Sequence, residues 1–130
     1  MISNVELLQK IAVVAERDGR YSKEAFLFML AALEFALYKL PKRRHLTGQE
    51  LSVSVAEYAR EQYGYLAGTV LNNWGLYTTR DFGEIVYLLI DAELMSKNED
   101  DKLEDFVDVY DYKKQFSWEQ MKPRKFPERF

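Results

Sequence analysis

Glu34 is the first residue of this chain to invite a chemical reading, because it is the single charge in the run AFLFMLAALEFALY from Ala25 to Tyr38. A carboxylate among apolar neighbours can hold a raised pKa and act as an acid or base. A lone glutamate without a second chemical group is more often a buried structural partner of an arginine, tyrosine or amide, and Arg80 and His45 are the candidates. His45 is the one histidine and there is no cysteine, so a zinc site lacks its usual ligands and no thiolate nucleophile or disulfide exists. The acidic string NEDDKLED, starting at Asn98, lacks the glycine and alternating ligands of a calcium loop. Asp81, Phe82 and Gly83 spell the metal-binding triplet of protein kinases, but no glycine-rich loop, VAIK strand or HRD loop accompanies them. No metal and no cofactor is therefore expected. Tyr58, Tyr63, Tyr65, Trp74 and Tyr77 are able to stack on a flat ligand, though their helical spacing favours core or rim.

The elements that must position these residues are mostly helical. Ser3 to Glu6 has the S-x-x-E form of a capping box, and Leu8, Ile11, Ala12 and Ala15 succeed it at helical spacing until Gly19. Ser22 opens a second helix, with Tyr21 and Phe26 placed as a hydrophobic staple and Pro41 as its stop. Because that helix is apolar nearly all round, it is expected at the centre of the domain or in a subunit interface. Thr47 to Glu50 is another capping box, opening a third helix that Gly64 ends. The fourth is expected from about Tyr65 to Trp74 and the fifth from Arg80 to about Met95. Between them, Trp74-Gly75 makes a corner, and Thr78 with Asp81 caps the fifth helix. That corner and the apolar helix after it are expected to be buried scaffold. Gly68 and Gly83 lie inside helices, where each costs about 1 kcal/mol relative to alanine, and close backbone approach is the compensating reason. FVDVYDY, from Phe106 to Tyr112, reads as a strand, with the segment Arg44 to Leu46 or a second copy as its partner. The expected class is thus α+β, mainly α: about five helices and a minimal β element, in a layout compatible with a winged helix. The domain spans 1–116, and 117–130 is a basic tail.

Charge is unevenly distributed around a net −3. Lys39, Lys42, Arg43 and Arg44 form a basic run, Glu99 to Asp111 an acidic one, and the tail is basic again. Such runs are commonly solvated faces or mutual partners. In a winged-helix layout the fifth helix would read a nucleic-acid groove, with the Lys39–Arg44 run on the backbone. Its body, EIVYLLIDAEL, carries Glu84, Asp91 and Glu93, which repel phosphate, so nucleic-acid binding is the second reading.

The strings HLTGQEL, YLAGTVLNNWG, TTRDFGEIVY and EDFVDVYDY, in this order, resemble a small family of conserved hypothetical bacterial proteins of about this length. The likeness covers roughly Tyr21 to Phe116 and rests mainly on the Trp-Gly corner followed by DFGEIV. It implies one intact domain in a bacterial cytosol, and it carries over no activity, cofactor or catalytic residue. The N-terminus lacks a basic head before an apolar run, so no cleaved signal is expected, and the most apolar segment is too short to span a bilayer. A cytoplasmic setting is expected. The first reading of function is a non-catalytic protein-protein interaction domain, binding a protein partner or a second copy as a homodimer, with Tyr77, Arg80, Tyr110 and Trp118 as its contact residues. An enzyme using a carboxylate or tyrosine site, Glu34 with Asp81, is the third.

Overall fold

The fold is that of a computed structural model, which describes residues 3–117. Helices α1 (Asn4–Asp18), α2 (Lys23–Tyr38) and α3 (Gly48–Tyr63) come first; a 3-10 turn (Gly64–Leu66) leads into α4 (Ala67–Asn73) and then α5 (Thr79–Asp91). A second 3-10 turn (Leu103–Phe106) precedes a single-turn α6 (Tyr112–Gln115). α2 is the central element, packed against α1, α3 and α5. Ala25, Phe26, Met29 and Ala32 of α2 have no exposed surface, nor do Phe82, Ile85 and Leu89 of α5. The helix after the Trp-Gly corner is thus part of the core.

The starts and stops reflect local chemistry. Ser3 Oγ accepts from the Glu6 amide at 3.1 Å, and Thr47 with Glu50 forms a reciprocal capping box at the start of α3. Tyr21 meets Phe26 edge-on, with ring centroids 6.5 Å apart, while Ser22 makes no side-chain cap bond. Gly75 turns the chain at φ 99°, and a Cβ there would collide with the Arg20 carbonyl oxygen. The two helical glycines are sites of close approach: a Cβ on Gly68 would lie 2.7 Å from the Phe116 carbonyl oxygen, and one on Gly83 would lie 2.8 Å from Phe106.

The α+β expectation is overturned, because the described residues contain no strand. Phe106 ends the second 3-10 turn, and Asp108 takes φ 49°, which breaks extended geometry. Backbone groups that a partner strand would have satisfied are met by one side chain. Thr79 Oγ1 donates to the Phe106 carbonyl at 2.6 Å and accepts from the Val109 amide at 3.3 Å. The aromatic residues that looked like a strand pattern are single anchors: Phe106, Tyr112 and Phe116 are buried, and Tyr110 donates to the Ser52 carbonyl at 2.9 Å. The segment from Arg44 to Leu46 forms no strand either. Without strands the described residues have no wing, and α5, the would-be reading helix, lies with Phe82, Ile85, Val86 and Leu89 in the core. α5 also stops at Asp91, short of Met95, because Glu93 adopts φ 62°. Among the described residues, no helix is long and apolar enough to cross a membrane.

Candidate binding site

Glu34 and Asp81, paired in the enzyme reading, have separate partners. Glu34 is exposed and pairs with Arg43 at 2.8 Å, on the outer side of α2 and not with Arg80 or His45. Asp81 accepts from the Tyr21 hydroxyl at 2.6 Å and from the amides of Tyr77 and Thr78 at 2.8 and 3.0 Å. Burial, then the bond to Asp81, holds the Tyr21 phenol well above its ordinary pKa. Asp81 is therefore the fastener of the Trp-Gly corner, joining it to the start of α2.

Of the aromatic residues considered for stacking on a ligand, Tyr58, Tyr63 and Trp74 pack together around Phe28, while Tyr65 and Tyr77 are exposed. Phe28 sits 5.3 Å from Tyr58 and 5.5 Å from Trp74, and Tyr63 meets Trp74 edge-on at 5.8 Å. Of the contact residues expected from sequence, Tyr77 and Tyr110 line one open groove of about 470 Å³ with Thr78, Asp108 and Lys113. Tyr77 is 59% exposed. Arg80 is not on that groove's wall and pairs along α5 with Glu84 at 3.2 Å, and Trp118 lies outside the described residues, as does the tail beyond Ser117. In the basic run, Lys39, Arg43 and Arg44 lie 3.5, 2.8 and 2.6 Å from Glu57, Glu34 and Glu50, while Lys42 is exposed. Among the described residues no three acidic or histidine side chains converge to hold a metal ion.

A different site emerges where α2, α3 and α5 diverge. Leu33 and Leu37 on α2, Leu51 on α3, and Val86 and Ile90 on α5 wall a cavity of about 160 Å³, with Met95 and Phe106 completing it. The spacing i, i+4 puts the pairs on α2 and α5 each on one face, one turn apart. After α5 the chain reverses: the Leu94 amide bonds the Leu89 carbonyl at 2.8 Å, and Glu93 supplies the left-handed residue. This reversal brings Met95 to Lys102 back across the cavity.

That return segment is tied down at the mouth. His45 Nε2 and Asp101 Oδ2 lie 2.5 Å apart, linking it to the loop between α2 and α3. The same carboxylate oxygen accepts from the Asn98 amide at 2.8 Å, and Lys97 Nζ donates to the carbonyls of Asn98 and Asp101. Next to His45, the Arg44 guanidinium grips Glu50 through two nitrogens, at 3.0 and 2.6 Å. The Arg44 bond, followed by that from the Thr47 amide, lowers the Glu50 carboxyl to a pKa of about 2. Tyr87 also lines the cavity. Its hydroxyl oxygen is buried and has no hydrogen-bond partner. Burial raises the pKa of this phenol, and the nearby carboxylates of Asp101, Asp105 and Glu104 raise it further, so the hydroxyl keeps its proton.

Sequence reasoning did not find this site. The leucine and valine-isoleucine pairs were visible as apolar faces, but a cavity is the volume those side chains fail to fill, which periodicity does not encode. His45 and Asp101 are 56 positions apart, and nothing local links them. No protein-family model, curated protein or solved structure matches the chain.

Proposed function

We propose that this chain is a non-catalytic binding domain and that the cavity between α2, α3 and α5 is where it binds. The observation that carries this reading is the cavity itself: about 160 Å³, walled by aliphatic side chains from three helices and bridged at its mouth by the contact of His45 with Asp101. An apolar cavity of roughly 150 Å³ stays dry and takes up benzene, so this one matches a single ring or one branched aliphatic group. Packing such a group recovers dispersion contacts that the lining side chains lack when the space is empty.

The test is methyl NMR on protein carrying labelled methionine, with benzene as the probe. Met95 lines the cavity, whereas Met29 is buried on α2 and is not part of its wall. Ring-current shifts at Met95 that saturate, and that vanish in a Val86→Phe variant filling the space, are expected. A Met95 signal unmoved in benzene-saturated buffer overturns the reading.

Docking of a protein partner or a second copy is the second reading, favoured by Tyr77 standing exposed on the groove it shares with Tyr110. Light scattering across a concentration series checks self-association. A constant monomer mass removes the second copy, and partner capture unaltered by Tyr77→Ser removes this groove.

A further inference from the structure

Resting on that reading of the cavity, we infer that its ligand is a small neutral ring compound bearing one oxygen acceptor, which takes the hydrogen bond that the Tyr87 hydroxyl lacks. A cyclic ketone, an aromatic aldehyde and a phenol all belong to this class.

Three observations lead to it. The first is the unpartnered hydroxyl: Tyr87 lines the cavity, yet its oxygen is buried without a partner, whereas the buried tyrosine hydroxyls of Tyr21 and Tyr112 are bonded at 2.6 and 2.9 Å. Buried polar groups in folded proteins are rarely left so, and one that lines a cavity is placed to bond whatever enters it. The second is size: the space within the walls takes one ring. The third concerns charge. Arg44 at the mouth is committed to Glu50 and His45 to Asp101, the Lys97 ammonium is bonded to two backbone carbonyls, and Lys102 is exposed on the rim. Beside Tyr87 stand Asp101 and Asp105, which disfavour an anionic ligand. A cation would lose its hydration inside a largely aliphatic wall, where the carboxylates of Asp101 and Asp105 already accept backbone amides. A neutral ligand incurs neither cost. Since the phenol keeps its proton, the complementary group on the ligand is an acceptor.

The experiment compares cyclohexane with cyclohexanone, and benzene with phenol, by titration of the Met95 methyl signal in the wild type and in Tyr87→Phe. The wild type is expected to favour the oxygenated member of each pair about three- to tenfold more than the variant does, the factor one neutral hydrogen bond supplies. The hydrocarbons themselves should bind both proteins equally. An unchanged ratio in Tyr87→Phe, with both hydrocarbons still bound, overturns the inference and leaves the cavity reading standing. Absence of all binding overturns the cavity reading itself. Should Tyr87→Phe fail to fold, an upfield or downfield shift of a labelled Tyr87 ring carbon next to the oxygen, seen with cyclohexanone and not with cyclohexane, carries the same information, and its absence refutes the inference.

Discussion

Replacing Asp81 by alanine is the most demanding check on how this fold is fastened. Its carboxylate accepts three hydrogen bonds, from the Tyr21 hydroxyl and the amides of Tyr77 and Thr78, at 2.6, 2.8 and 3.0 Å. Tyr21 is only 5% exposed, so its hydroxyl would have little access to water once Asp81 is gone. A buried donor left unpaired costs about 1–3 kcal/mol, and loss of a helix cap costs about 1 kcal/mol more. These contributions share one carboxylate and do not add in full, so the expected loss is about 2–3 kcal/mol, at the upper end for a point substitution. For a chain of 130 residues the unfolding entropy near Tm is about 0.27 kcal/mol/K, so the midpoint should fall by roughly 7–11 °C.

Urea unfolding followed by circular dichroism measures that loss directly, through the midpoint at constant slope. Tyr21→Phe and Asp81→Asn complete a double-mutant cycle. Each single change should cost about 1–2 kcal/mol, and their coupling should be about 1 kcal/mol, because the two residues share a charge-assisted bond. A destabilisation by Asp81→Ala of under about 1 kcal/mol would refute the assignment of Asp81 as the corner's fastener. A coupling near zero would leave the cap intact and remove the link to α2.

Two further outcomes rest on the same packing. Gly83→Ala should lose about 1–2 kcal/mol in urea unfolding despite alanine's higher helix propensity, because a Cβ 2.8 Å from Phe106 forces the second 3-10 turn to move; a stabilised variant would mean that α5 and that turn are not in close contact. Tyr21, Tyr110 and Tyr112 all have pKa values raised above the ordinary tyrosine value, chiefly by burial, so the folded state holds protons that the unfolded chain releases above about pH 10. Stability should therefore be at its full value below about pH 10 and fall as pH rises further, with phenolate absorbance appearing late and together with unfolding; early, reversible ionisation of every tyrosine with the fold intact would contradict the burial of these three.

Much of the helical plan was legible because its signals are local. The Ser3 cap, the capping boxes at Thr47 and Thr78, the Gly75 turn and the glycines at 68 and 83 act over a few residues or state a steric requirement, and all are seen in the structure, though at Ser3 only the serine half of the box is made. The strand reading of FVDVYDY failed for a physical reason. β-Propensity reflects aromatic and branched side chains fitting a half-buried surface, and separate aromatic anchors on a coiled segment satisfy that requirement without a ladder. The Thr79 hydroxyl, 27 positions from Phe106, supplied what a strand partner would have. Glu34 misled in the same way: position on an apolar run suggested burial, whereas one residue of each helical turn can still face water, and Arg43 from the adjoining loop reaches it there.

The candidate site arises from the early end of α5. Four more helical residues, from Asp91 to Met95, would carry the chain about 6 Å farther along the helix axis. Instead Glu93 occupies a left-handed conformation, which is unfavourable for a residue with a side chain, and the chain reverses. Met95 then closes a wall of the cavity and Asp101 reaches His45. A run of apolar helical spacing gives no hint of this, because the stop carries neither glycine nor proline. The strain at Glu93 is sustained by what the reversal makes, namely the Leu94 to Leu89 backbone bond and the His45–Asp101 contact over the mouth. The element that looked from sequence like pure scaffold therefore has two parts: its buried face builds the core, and its last turn leaves open the space proposed to receive a ligand.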